Sequence, residues 1–328
     1  MNKKYSELAE LFRSEKTDEE ILDFLLNYHK NDIADMMAGM TEEERKRLYH
    51  LLGAQKVAEI FKYIEEPRKY IRELSVESAA RVISEMDSDD AVDLLEDLDP
   101  EEKEQIVRML DEDAKKDVKM LLSYDEEEIG SCMTTNYICI PENLTIRQAM
   151  SELVKQAGEN DNIMTIYVVD EKGVFAGAID LKDLIRAREN AHLEDLVLKS
   201  YPYVTDHEKI DDCMDRILDY AEDSIPVLSE DKKILGVITS EDLIEMVDNE
   251  MGEDYAKLAG LTAEEDLKEP TLQSMKKRLP WLIILLFLGM AVSSVVGLFE
   301  NVVAVLPIVI CFQSLVLDMA GNVGTQSL

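Results

Sequence analysis

Carboxylates carry most of the chemistry this chain can offer. Its 328 residues include 70 Asp and Glu against 35 Lys and Arg, a formal net charge of −35. Two acidic groups stand out by their spacing. In Asp87-Ser-Asp-Asp-Ala-Val-Asp93, Asp89 and Asp93 lie four residues apart, so a helix puts them on one face. Like charges at that spacing destabilise a helix unless a cation sits between them. Farther on, Glu241, Asp242, Glu245, Asp248, Glu250, Glu253 and Asp254 crowd into fourteen residues, several of them at i, i+3 or i+4. Scattered carboxylate pairs suit Mg²⁺, which keeps most of its water and takes one or two protein carboxylates. A calcium-binding EF-hand loop would need a D-x-[DN]-x-[DN]-G run, which the sequence lacks. The competing reading of either group is a solvated acidic face. The charge excess makes divalent cations good partners, and it makes nucleic acid a poor one.

Other reactive side chains form no constellation. His29, His50, His192 and His207 stand in unrelated contexts, and Cys132, Cys139, Cys213 and Cys311 show no CxxC spacing. HExxH, GxxxxGK[ST], GxSxG and a strand-following GxGxxG are all missing. The expectation is a protein that is not an enzyme, with free thiols. The opening MNKKYSELAELF is polar, so no signal peptide is read there.

Several kinds of element must position the carboxylates. Residues 1 to about 125 read as helix, with apolar residues at three- and four-residue spacing. Residues 32–52 align without a gap on residues 90–110, and weaker copies start near Val57 and Ser78. Each unit is a helix, a turn with Thr41 or Asp99 as N-cap, and a second helix rich in glutamate at its start. Such units bury their apolar stripes only by stacking, so an acidic α-superhelix is expected. From Gly130 strand-like runs appear at 137–140, 165–170, 174–179, 201–204, 224–228 and 234–239, between helical stretches at 144–157, 181–190, 209–221 and 240–250. Residues 167–185 align on 226–244, so this part is also a duplication, with five extra residues around Gly158–Asn162.

The last fifty residues are of another kind. WLIILLFLGMAVSSVVGLF, residues 281–299, holds no charge, and about 20 apolar residues of helix cross a bilayer core. Lys276, Lys277 and Arg278 precede it and place the N-terminal part in the cytoplasm. A second span starts near Val302 and carries Asn322, Thr325 and Gln326. These are costly against lipid and are expected to line a bundle interior or pore. Two helices do not enclose a pathway, so the sequence reads as the front of a longer membrane protein, in contact with membrane lipid.

The strand-turn-strand-helix repeat ending in G-[AV]-I-x-x-x-D-L-I resembles a pair of CBS domains, which are regulatory modules commonly serving adenine nucleotides. That resemblance implies ATP contacts at Thr239 and Asp242; the alternative is that Asp242 only caps the final helix. The whole layout, with PIV…MAGNVGTQSL in the second span, resembles the MgtE family of magnesium channels and transporters. The fold class implied is multidomain: an all-α superhelix (1–128), an α+β tandem CBS pair (129–192 and 193–250), a connecting helix (251–275) and transmembrane α-helices (276–328). The resemblance also implies a homodimer in the cell membrane whose cytoplasmic domains bind Mg²⁺ and close the pore. The metal positions it implies are Asp89, Asp93, Asp242, Glu245, Glu250, Glu253 and Asp254. A nucleotide-regulated transporter of another type is the second functional reading.

Overall fold

A computed structural model describes residues 17–64, 66–158, 160–188, 191–247 and 271–298, with Phe312, Leu315, Val316, Met319 and Ala320. They fall into two compact units, Met1–Leu243 and Ile244–Leu328. Glu250, Glu253, Asp254, Asn322, Thr325 and Gln326 lie outside the described residues.

The first half of unit 1 is helical because its turns and helix starts are written into the sequence. Among the described residues eight helices follow one another: α1 (Asp18–Leu25), α2 (Lys30–Met37), α3 (Glu42–Phe61), α4 (Pro67–Ile71), α5 (Val76–Ser84), α6 (Ser88–Glu96), α7 (Pro100–Met109) and α8 (Glu112–Leu121). Thr17 with Glu20 and Thr41 with Glu44 form reciprocal capping boxes. Ser75 and Asp111 accept hydrogen bonds from the N–H of Ser78 and Ala114. At Gly53 the backbone of α3 turns to φ +76°, a conformation that only glycine adopts cheaply, and the helix axis breaks there. Helix α2 packs on α3, α3 on α5, α5 on α7 and α6 on α8. Contact between next-but-one helices is the stacking expected of the repeat, and Leu48, Ile83, Leu94 and Leu95 fill its core. Burying each such side chain contributes about 1.5–3 kcal/mol. Arg45 is buried at 6% exposure among them. Its guanidinium grips Glu73 at 2.9 and 2.5 Å and donates to the carbonyls of Met37 and Met40 at the end of α2.

The second half holds two copies of one αβ unit. In the first, β1 (Ile138–Pro141) pairs parallel with β2 (Thr165–Val169), which pairs antiparallel with β3 (Phe175–Asp180); α9 (Ile146–Gln156) and α10 (Leu181–Arg186) complete it. In the second, β4 (Val204–Thr205), α11 (Ile210–Tyr220), β5 (Ser224–Leu228), β6 (Ile234–Thr239) and a helix over 240–247 repeat the order and pairing. Each antiparallel pair carries its irregularity at the same place, between Val168 and Val169 and between Val227 and Leu228. The two copies exchange edges. Thr134 exchanges two 2.9 Å backbone bonds with Val237 of the second sheet, and Leu198 exchanges bonds of 2.8 and 3.3 Å with Ala178 of the first. This explains the glycine of the repeated motif. A Cβ on Gly236 would stand 2.7 Å from the Thr134 carbonyl, and one on Gly177 (φ +149°) 2.5 Å from that of Leu198.

The strand expected at 201–204 shrinks to Val204–Thr205. Pro202 offers no N–H to a ladder, and Tyr201 turns its hydroxyl to the Ser224 carbonyl at 2.7 Å. The segment after α8 is bound to the second copy rather than free: Ile129 N–H donates to Glu208, Gly130 N–H to Asp206, and Ile210 N–H to Glu127.

In unit 2, α12 (Thr271–Gly297) runs 27 residues, about 40 Å at 1.5 Å per residue. Among the described residues no helix is long and apolar enough to cross a membrane. The side chains of Trp281, Leu282, Leu285, Val292 and Val296 within α12 fall outside that description, so the full apolar run is read from the sequence.

Candidate functional site

Three pieces of unit 1 converge on one acidic cleft: the C-terminal end of α3, the first turn of α6, and the start of the helix over 240–247. The α6 end is fixed by docking on the segment before β1. Ser88 Oγ accepts from the Thr135 N–H at 2.9 Å, and Asp87 Oδ1 accepts from Asn136 Nδ2 at 2.7 Å. Asp87 is the N-cap of α6, yet its side chain makes no cap hydrogen bond. It is engaged outward instead. The third piece is fixed by a capping box of its own, in which the Thr239 N–H donates to Asp242 Oδ2 at 2.6 Å and the Asp242 N–H to Thr239 Oγ1 at 3.4 Å.

The cleft has a volume of about 240 Å³, and Asp87, Asp89, Asp90, Thr134, Glu241 and Asp242 line it from two modules. One oxygen of Asp89, Oδ1, is buried without a hydrogen-bond partner. Burial first, then the charges of Asp242, Asp90 and Asp87, hold the Asp89 carboxyl well above the ordinary carboxylate range. Asp90 is pushed up to about 7, chiefly by burial against the opposing pull of Lys62, with Asp87, Asp93 and Asp242 adding to the rise. Burial also raises Asp242, although the bonds from Thr239 work the other way. Lys62 answers these carboxylates: burial opposes its charge, but Asp90, Glu241 and Asp87 outweigh that and raise its pKa. The thiol of Cys132 behind the cluster is pushed up to about 11, mainly by burial and further by Asp93, Asp242 and Asp89.

Asp89 and Asp93 share α6, but Asp89 is turned into the cleft and Asp93 is exposed. Asp89 is half-buried, with its Oδ1 fully buried, in the cleft it shares with Thr134 and Asp242 of the second half. Asp242 joins Asp89 across the module boundary, whereas Glu245 is exposed. Asp90 is the third residue of α6 and faces Lys62. Asp87, Glu241 and Lys62 complete the cleft. Only their charge marks Asp87 and Glu241 in the sequence, and nothing marks Lys62, whose nearest acidic partner is 25 positions away.

Among the described residues, no group of three or more His, Cys, Asp or Glu side chains is arranged to hold a metal ion. A hard divalent ion that keeps its water needs no such cage. The residues present fit one in this looser sense: an orphaned buried carboxylate oxygen faces the cleft beside carboxylates that burial and mutual repulsion drive toward protonation. Thr239 and Asp242 are committed to each other and surrounded by carboxylates, a poor setting for a phosphate. A separate cavity of about 500 Å³ is lined by Tyr201, Tyr203, Tyr220, Lys199 and Arg216.

Comparisons with known proteins cover most of the chain. Residues 28–127 match the MgtE intracellular N domain, and residues 127–190 and 193–249 match the CBS domain. A magnesium transporter MgtE of Enterococcus faecalis is 39% identical over 332 residues, taking in 100% of this chain and 73% of that protein. A crystal structure of the soluble part of a magnesium transporter superposes with a TM-score of 0.72 at 30% identity, covering 75% of this chain and 98% of that one. The cytosolic domain of the Mg²⁺ channel MgtE in complex with ATP superposes with a TM-score of 0.66 at 26% identity, covering 74% and 99%.

Proposed function

Because the chain belongs to the MgtE family of magnesium transporters, we infer that it serves magnesium transport and that its acidic cleft reports magnesium to the membrane part. The observation that carries the sensing role is Asp89, a half-buried carboxylate between two modules whose Oδ1 is buried and unpartnered. With Asp89, Asp90 and Asp242 all ionised, their repulsion drives α6 and the 240–247 helix apart. A bound divalent cation supplies the charge that offsets this repulsion. The three carboxylates then hold the superhelix against the second CBS domain. Asp93 and Glu245, exposed on the same two elements, and Glu250, Glu253 and Asp254 beyond them are proposed to extend such carboxylate bridging to neighbouring faces and to a second copy of the chain in a homodimer. Residues 281–299 and the run from Val302 are proposed as membrane spans, with Asn322, Thr325 and Gln326 toward the ion path and the preceding domains in the cytoplasm of a plasma-membrane protein. The support for this is the uncharged run, the basic triplet before it and the 27-residue helix.

A second reading adds ATP to the CBS pair. The cavity with three tyrosines and two basic side chains favours it, since aromatic faces take a base and Lys199 and Arg216 take phosphate. Thr239 and Asp242, the positions read for nucleotide from the sequence, are the weaker place for it. Calorimetry of residues 1–270 with MgCl₂ and with ATP separately tests both readings. Magnesium heat that vanishes in Asp89→Ala/Asp93→Ala supports the sensor; heat from ATP alone, with none from MgCl₂, contradicts it.

A further inference from the structure

The cleft that Asp89 opens into already contains a cation supplied by the chain. Lys62 is the C-cap of α3, a place where the helix dipole favours positive charge. Its ammonium stands 3.1 Å from Glu241 Oε2, 3.6 Å from Asp87 Oδ2 and 3.9 Å from Asp90 Oδ2. Asp87 and Asp90 belong to the start of α6, and Glu241 to the 240–247 helix. One side chain of the superhelix therefore touches carboxylates of both modules. The other ammonium of the cleft, Lys30, pairs with Glu59 at 3.0 Å on the superhelix alone. Among the described residues eight carboxylates line the cleft against these two ammonium groups, so Lys62 holds the contact together without neutralising it.

We propose that Lys62 is a tethered counterion: it bridges the superhelix and the second CBS domain when no divalent ion is present, and it competes with that ion for Asp87 and Asp90. This rests on the reading of the cleft as a magnesium sensor. The two roles have opposite consequences. Without a divalent ion, removing the ammonium leaves Glu241 facing Asp87 and Asp90 with no charge between them, and the contact loosens. With one, removing the ammonium also removes the repulsion between a single and a double positive charge in one cleft. At a separation of about 5 Å, in a medium like water with physiological screening, that repulsion amounts to about a five-fold change in affinity. Lys62 thus keeps the ion-free contact from falling open and shifts the response to higher magnesium. A lysine suits the role because its flexible stem lets the ammonium leave and return.

The test is limited chymotryptic digestion of the full chain in detergent across a MgCl₂ titration, reading cleavage at the module junction around Tyr124. Wild type, Lys62→Gln, Lys62→Arg and Glu241→Gln are compared. Lys62→Gln is expected to be cut faster than wild type in EDTA and to reach half-protection at about five-fold lower magnesium. Lys62→Arg keeps the positive charge and should be cut in EDTA as slowly as wild type. Glu241→Gln should also be cut faster in EDTA, but with its half-protection moved to higher magnesium, because a carboxylate has been lost. If wild type is protected by magnesium and Lys62→Gln shows the same midpoint and the same EDTA cleavage, the tethered-counterion role is overturned. If wild type is cut equally in EDTA and in MgCl₂, the sensor reading itself fails and takes this inference with it.

Discussion

Closing the cleft around a divalent cation should expel the protons that its raised carboxyl groups hold. Asp90, pushed up to about 7, is roughly three-quarters protonated at pH 6.5 and roughly one-tenth protonated at pH 8. Asp89 and Asp242 are raised as well and add to the store. These carboxyl groups bind protons more tightly when buried in the contact than when exposed. The ion-free contact is therefore fully stabilised only below the ordinary carboxylate pKa of about 4 and loosens as pH rises through about 7. For Asp90 alone the three-unit gap corresponds to roughly 4 kcal/mol between those limits. A divalent ion requires the ionised form, so its affinity rises with pH and its binding releases the held protons. Calorimetry with MgCl₂ at pH 6.5, in two non-chelating buffers of different ionisation enthalpy, measures the release. About 0.7 proton or more per bound ion is expected at pH 6.5, falling steeply by pH 8, with the Asp90 share lost in Asp90→Asn. Identical heats in both buffers at pH 6.5, from an ion that does bind, refute the reasoning.

Three further outcomes follow from the same geometry. Asp89→Asn removes the carboxylate's repulsion with Asp90 and Asp242; melting in EDTA at pH 8 should rise, and the extra stabilisation from MgCl₂ should shrink. Arg45→Ala strands the nearly buried Glu73 and the carbonyls of Met37 and Met40, which should cost the superhelix about 3–5 kcal/mol in urea unfolding, with the CBS pair unaffected. For topology, an impermeant thiol reagent applied to intact cells should label Glu300→Cys and spare Ser274→Cys; the opposite pattern would reverse the orientation read from Lys276, Lys277 and Arg278.

The parts of this architecture that were legible in the sequence are those where the signal is local. Strands Ser224–Leu228 and Ile234–Thr239 coincide with the strand-like runs at 224–228 and 234–239, and Thr41 caps its helix as expected from the repeat. Duplication made both αβ units readable at once. Gly177 and Gly236 could be seen to recur, but their reason, a neighbouring carbonyl of the other copy, is tertiary. The site was half legible for the same reason. Asp89 and Asp242 were marked by charge density, whereas the burial of Asp89 depends on how 134–136 docks on α6. Lys62 carries no signal, because its partners come from α6 and from a helix 179 positions later. Periodicity also overstated the fourth strand, since it does not register that Pro202 lacks a donor or that Tyr201 turns inward.

The central claim is that carboxylates from two modules are drawn together by a divalent ion rather than merely screened. Small-angle scattering of residues 1–270 at pH 8, above the raised Asp90 pKa, in EDTA, in ~10 mM MgCl₂, and in NaCl matched for ionic strength separates the two, because screening acts over ~8–10 Å but cannot ligate two carboxylates at once. A radius of gyration that contracts with magnesium and stays near the EDTA value in NaCl is the predicted result. The same radius in all three solutions would leave the carboxylates as a solvated face and contradict the account.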